Sequence, residues 1–158
     1  MIFRSIPGLF AALMAFTAAP ARSDPCLDMP SVLRSADPAF NMAQGGRLTR
    51  HIFGAPPPPN ATQDVGQPLF ADLWAWHAAW SAVSGYPGEL LCGDELGGTQ
   101  FGKTLNVKVP ALWCEKADDK GRCIDATPFT SATVTYVFEW SGPPDAPAWI
   151  LGVAYPKP

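Results

Sequence analysis

The chain has 158 residues, 47% of them hydrophobic and only 16% charged, with a formal net charge of −3. That length supplies one domain with a core rather than two, and the apolar share excludes a wholly disordered protein. The acidic balance offers no basic face to phosphates, so no nucleic acid partner is expected, and the 6 tryptophans promise an aromatic core.

The N-terminus reads as an export signal. Arg4 supplies the positive charge, and Ile6 to Ala19 is an uncharged apolar run, shorter than the roughly 20 residues a bilayer span requires. Ala19-Pro20-Ala21 fits a small-x-small cleavage pattern, with Ala21-Arg22-Ser23 as a second option, so processing is expected after Ala21 or Ser23. The chain then divides into a signal peptide (1–21), a lead-in segment (22–37) and a single domain (38–158). Its expected location is the periplasm or the exterior, with no stable membrane span after cleavage.

All four cysteines, Cys26, Cys92, Cys114 and Cys123, lie in the exported part, and an even count in an oxidising compartment suggests two disulfides. Three pairings are possible. Cys114–Cys123 is favoured, because the polar segment Glu115 to Arg122 has the character of a hairpin tip. Cys26–Cys92 follows by elimination. With no Cys-x-x-Cys pair and no histidine at ligand spacing, neither a metal nor another cofactor is expected.

In chain order, Asp37-Pro38 reads as an N-cap followed by a first-turn proline. Phe40, Met42, Leu48, Ile52 and Phe53 supply the apolar positions of a helix running to about Phe53, weakened at Gly45-Gly46. Pro56 to Pro59 form a stiff polyproline II connector. The clearest helix is expected over Leu69 to Val83, where Leu69, Leu73, Trp76, Trp80 and Val83 make one apolar stripe and Phe70, Trp74 and His77 an adjacent one. A loop-rich stretch, 88–103, follows, with a short strand at Leu90-Leu91.

The period then changes to two. Residues 104–114 alternate, with Pro110 marking an edge or a bulge. In residues 131–140, Ala132, Val134, Tyr136, Phe138 and Trp140 share one face, and residues 148–155 return after a Gly-Pro-rich turn. Helices first and strands after predict an α+β fold, N-terminal helices packed on a curved antiparallel sheet formed by the C-terminal half.

The segment Leu48-Thr49-Arg50-His51-Ile52-Phe53, the opening Pro68-Leu69-Phe70, the connector Gly88-Glu89-Leu90, Gly93-Asp94-Glu95 and Thr99-Gln100-Phe101, and the terminal Trp149-Ile150-Leu151-Gly152-Val153 together resemble the nuclear transport factor 2-like superfamily. The similarity covers roughly residues 38–156 and is nearest to small secreted bacterial members of unknown function. Gln100-Phe101 stands where that pattern has a Gln-acid pair. The resemblance implies a cone-shaped fold with a pocket between helices and sheet, used for catalysis in some members and for binding in others.

Candidate site residues follow. His77, beside Trp74 and Phe70, is the residue best suited to acid or base work near neutral pH. Ser81 lies one turn on, but Asp72 is not placed to orient the histidine. Asp94 in its glycine-rich loop could act as a base, in the manner of a ketosteroid isomerase, with Tyr136 as a pocket donor. Asp118-Asp119 read as turn residues. The tryptophans could also stack on a sugar. Trp74, His77 and Tyr136 are the candidate ligand-binding residues, and no catalytic constellation is evident.

The expected function is therefore an exported binding or accessory domain for a small apolar ligand or an envelope protein partner. One alternative is an isomerase- or dehydratase-type enzyme using His77 or Asp94. Another is an inhibitor or accessory protein of a second exported enzyme.

Overall fold

The computed structural model describes residues 29–84, 99–142 and 144–158. The signal segment, Cys26, Cys92, the Leu90-Leu91 strand and Asp94 lie outside the described residues. The chain is α+β: short helices and one four-stranded antiparallel sheet of order β1-β2-β3-β4.

The lead-in ends in a helical turn, α1 (Met29–Arg34), followed by α2 (Pro38–Ala43). Asp37 caps α2 as its sequence position implies, Oδ1 accepting the Phe40 amide at 2.8 Å, with Pro38 in the first turn. The expected long helix does not continue. It stops at Ala43 and resumes only as a 3₁₀ turn at Leu48–His51. Asn41 is the cause. Its buried side chain accepts the Leu48 amide at 2.9 Å and donates to the carbonyls of Ser35 and Leu151. A Cβ on Gly46 would overlap that amide, so the glycine is there for close approach.

The next departure concerns Leu69 to Val83. Pro68–Phe70 is strand β1, paired with Ala111 to Trp113, and helix α3 begins only at Leu73 and runs to Ser84. Asp72 starts the helix, its Oδ1 accepting the Ala75 amide at 2.8 Å. The buried face of α3 is Ala75, Trp76, Ala79, Trp80 and Val83, an i, i+1, i+4, i+5, i+8 pattern set by the small alanines as much as by the tryptophans. One strand thus precedes the last helix, so helices and strands are not fully segregated along the chain.

The two long strands β2 (Gln100–Ala117) and β3 (Cys123–Ser141) form one hairpin, and β4 (Ala148–Lys157) completes the meander. The alternation in 131–140 is real: Val134, Tyr136 and Phe138 are buried. The strand starts eight residues earlier than that alternation marks, because ladder pairing with β2 carries the non-alternating stretch 123–130. The register shifts between Asn106 and Val109, just before Pro110. β1 and β4, at opposite ends of the strand order, lie in contact, so the sheet bends back toward itself. Cys114 and Cys123 are joined by a disulfide, with Cα atoms 5.9 Å apart. Asp118 shapes the tip between them by accepting the amides of Lys120 and Arg122, and those bonds, the Arg122 amide first, hold its carboxyl below the usual range.

Trp76 and Tyr136 are fully buried between α3 and the sheet. Trp76 Nε1 donates to the Ala36 carbonyl at 3.0 Å, and Tyr136 Oη donates to the Ala79 carbonyl at 2.6 Å. A smaller cluster, Leu69 with the disulfide and the partly buried Phe53 and Ala126, sits under the hairpin tip.

Gln63 links this cluster to the connecting segment. It is fully buried, its Oε1 accepts the Cys123 amide at 3.0 Å, and its Nε2 lies 3.0, 2.8 and 3.2 Å from the carbonyls of Thr49, Ile52 and Ala55. Gln63→Leu keeps the volume but orphans these groups, and is expected to cost about 3 kcal/mol or more, read as a lower urea midpoint at unchanged slope.

Candidate functional site

The space between α3 and the sheet is filled by aromatic rings. Phe70, Trp76, Trp80 and Tyr136 follow one another in contact, with ring centroids 5.5, 5.6 and 6.4 Å apart. The three candidate ligand-binding residues therefore do not converge. Tyr136 is a core residue whose hydroxyl is committed to Ala79, and burial pushes its phenol pKa up. Trp74 is 82% exposed and His77 is also exposed, because the helix turns Ala75, Trp76, Ala79 and Trp80 inward instead. The Ser81 hydroxyl donates to the His77 backbone carbonyl at 2.8 Å. Among the described residues, no group of three or more His, Cys, Asp or Glu side chains gathers to hold a metal.

A concavity does exist, on the rim. Pro38 and Met42 from α2, Ile52 and Phe53 after the 3₁₀ turn, Pro56 at the start of the proline run and Leu73 at the head of α3 line an apolar groove of about 470 Å³. Each wall has a local cause. Asp37 fixes α2 so that Pro38 and Met42 share a face. Gln63 holds Thr49, Ile52 and Ala55, all three of which belong to the groove wall, by their carbonyls. Asp72 sets the start of α3, leaving Leu73 45% exposed at the edge.

Comparison with protein-family models, with curated proteins and with solved structures finds no match.

His51, in the 3₁₀ turn next to the groove residue Ile52, is 8% exposed. Its Nδ1–H donates to the Pro68 carbonyl at 3.0 Å, and its ring lies 5.3 Å from that of Tyr155. It ties the 3₁₀ turn to β1 and β4. Burial lowers its pKa to about 4, and the nearby Arg50 and Arg47 add to the lowering.

None of the groove residues carries a chemical motif, and the sequence pattern assigns Met42, Ile52, Phe53 and Leu73 to the apolar positions of helices. The signal that could have marked the site is apolar residues flanking a rigid proline run, which cannot all bury themselves against their own short segments.

Because the folded state holds His51 neutral while the unfolded chain protonates near pH 6.5, its contribution is complete above pH 6.5 and declines as pH falls toward about 4. The loss is expected to be roughly 3 kcal/mol across that window, and His51→Gln should flatten it in urea titrations at stepped pH.

Proposed function

We propose that the chain is an exported, disulfide-stabilised binding domain whose rim groove takes a small, mainly apolar ligand. The observation that carries this reading is the groove itself: a concavity of about 470 Å³ with almost wholly apolar walls, on a molecule whose interior is otherwise packed with rings. Pockets of this size accept ligands of drug-like dimensions, and apolar walls favour apolar surface.

Two further parts of the reading rest on sequence. The apolar N-terminal run with Ala19-Pro20-Ala21 supports export to the periplasm or the exterior, and the Cys114–Cys123 disulfide agrees with an oxidising compartment. Among the described residues no helix is long and apolar enough to cross a membrane. Kinship with the nuclear transport factor 2-like cone is supported by α3 lying over β2 and β3 with Trp76 and Tyr136 between them, and by β1 approaching β4. In that kinship the helices cover a curved sheet, and the binding position lies at the rim rather than inside the cone. An envelope protein presenting an apolar side chain would use the same groove.

The neutral apolar dye N-phenyl-1-naphthylamine tests the groove. Its fluorescence should rise saturably with the folded chain, and Met42→Arg and Leu73→Asp should each weaken binding about tenfold without lowering the unfolding midpoint. Unchanged binding in both variants would remove the groove as the site.

A further inference from the structure

A second concavity, of about 480 Å³, has the opposite character. It lies at the end of the sheet and is lined by Arg47, Thr99, Gln100, Glu139, Trp140 and Ser141. Trp140 is 47% exposed, yet it does not swing freely. It sits directly across from Trp149 in the β3–β4 ladder, with the rings edge to face at 5.9 Å and 69°. Its backbone amide donates to the Thr99 carbonyl at 2.9 Å, which holds the Thr99-Gln100 wall beside it.

The carboxylate in this site is also built into place. Glu139 pairs with Arg47 at 3.3 Å, and its side chain is only 16% exposed against 45% for the arginine. It lies across Gly152, the unpaired extra residue where the register shifts between β3 and β4. A Cβ on Gly152 would overlap the Glu139 carboxyl group, so the bulge glycine makes the seat for the acid. The Arg47 amide donates to the Gly152 carbonyl at 2.6 Å, which brings the guanidinium to the same place. Ser141 closes the floor, its hydroxyl donating to the Gln44 carbonyl at 2.9 Å.

We infer that this ledge binds a neutral pyranose ring of an oligosaccharide, stacked on Trp140 with its hydroxyls toward Glu139, Arg47 and Gln100. The chemistry selects that class. The negative face of an indole attracts the weakly positive C–H groups on the flat side of a sugar ring. A carboxylate beside a guanidinium, with an amide in the same lining, offers both acceptors and donors to sugar hydroxyls. The ion pair is self-neutralising, so an anion meets Glu139 and a cation meets Arg47, and a neutral polyol is favoured over either. The site is distinct from the apolar groove and shares no lining residue with it.

Titration calorimetry and tryptophan fluorescence with cellotetraose, maltotetraose and tetra-N-acetylchitotetraose test this. At least one should bind with a Kd of roughly 0.1 to 1 mM. Trp140→Ala should weaken that binding about tenfold or more, Trp140→Phe should retain most of it, and Glu139→Gln should weaken it about fivefold. Met42→Arg, in the other groove, should leave it unchanged. Circular dichroism establishes whether each variant is folded; if Trp140→Ala is not, Trp140→Phe and Glu139→Gln decide. Absence of binding by all three oligosaccharides at roughly 10 mM, or full affinity in folded Trp140→Ala or in Glu139→Gln, overturns the assignment.

Discussion

A long connecting segment can lie against a core only if its backbone polar groups find partners there. Between α2 and β1 some of these groups find backbone partners, as at Phe53, Gln63 and Gly66, and two carboxamide side chains serve several of the rest. Asn41 joins the carbonyls of Ser35 and Leu151 to the amide of Leu48. Gln63 joins the carbonyls of Thr49, Ile52 and Ala55 to the amide of Cys123. The apolar groove depends on the second of these. The wall is anchored through one side chain to the disulfide-closed hairpin, so the concavity is built into the fold.

The aromatic interior explains why the two concavities described above lie at the periphery. Trp76, Trp80, Tyr136 and Phe70 fill the volume between helix and sheet, and the polar atoms of Trp76 and Tyr136 are spent on backbone carbonyls. A cavity there would require removing a ring, at a cost of several kcal/mol. The rim carries hollows of different character, among them one apolar under the proline run and one polar beside Trp140.

Local chemistry made much of this architecture legible. Asp37-Pro38, the hairpin tip between Cys114 and Cys123, the alternation around Val134 to Phe138 and the start of β4 at Ala148 each follow from signals within a few residues, and each stands where its pattern puts it. The errors arose where distant pairing overrides a local signal. Leu69 extends the helical stripe of Trp76 and Trp80, and Phe70 that of Trp74 and His77, but partners at Leu112 and Ala111 draw both into a strand, and Asp72 then starts the helix anew. Ala75 and Ala79 decide which side of α3 faces inward, and the bulky residues alone misplace Trp74 and His77. Gln63 and Asn41 look like ordinary loop residues until their partners are known. Arg47 and Glu139, 92 positions apart, have no common pattern at all.

The outer margin of β4 has a consequence of its own. At Leu151 the amide donates to Ser35 Oγ and the carbonyl accepts from Asn41, and at Gly152 the carbonyl accepts from Arg47. An incoming extended peptide would find these groups already engaged, so the final strand cannot serve there as a template for further growth of the sheet. The same three contacts that fasten the leading segment to the body thereby act as a guard against fibril-like stacking of copies along that side.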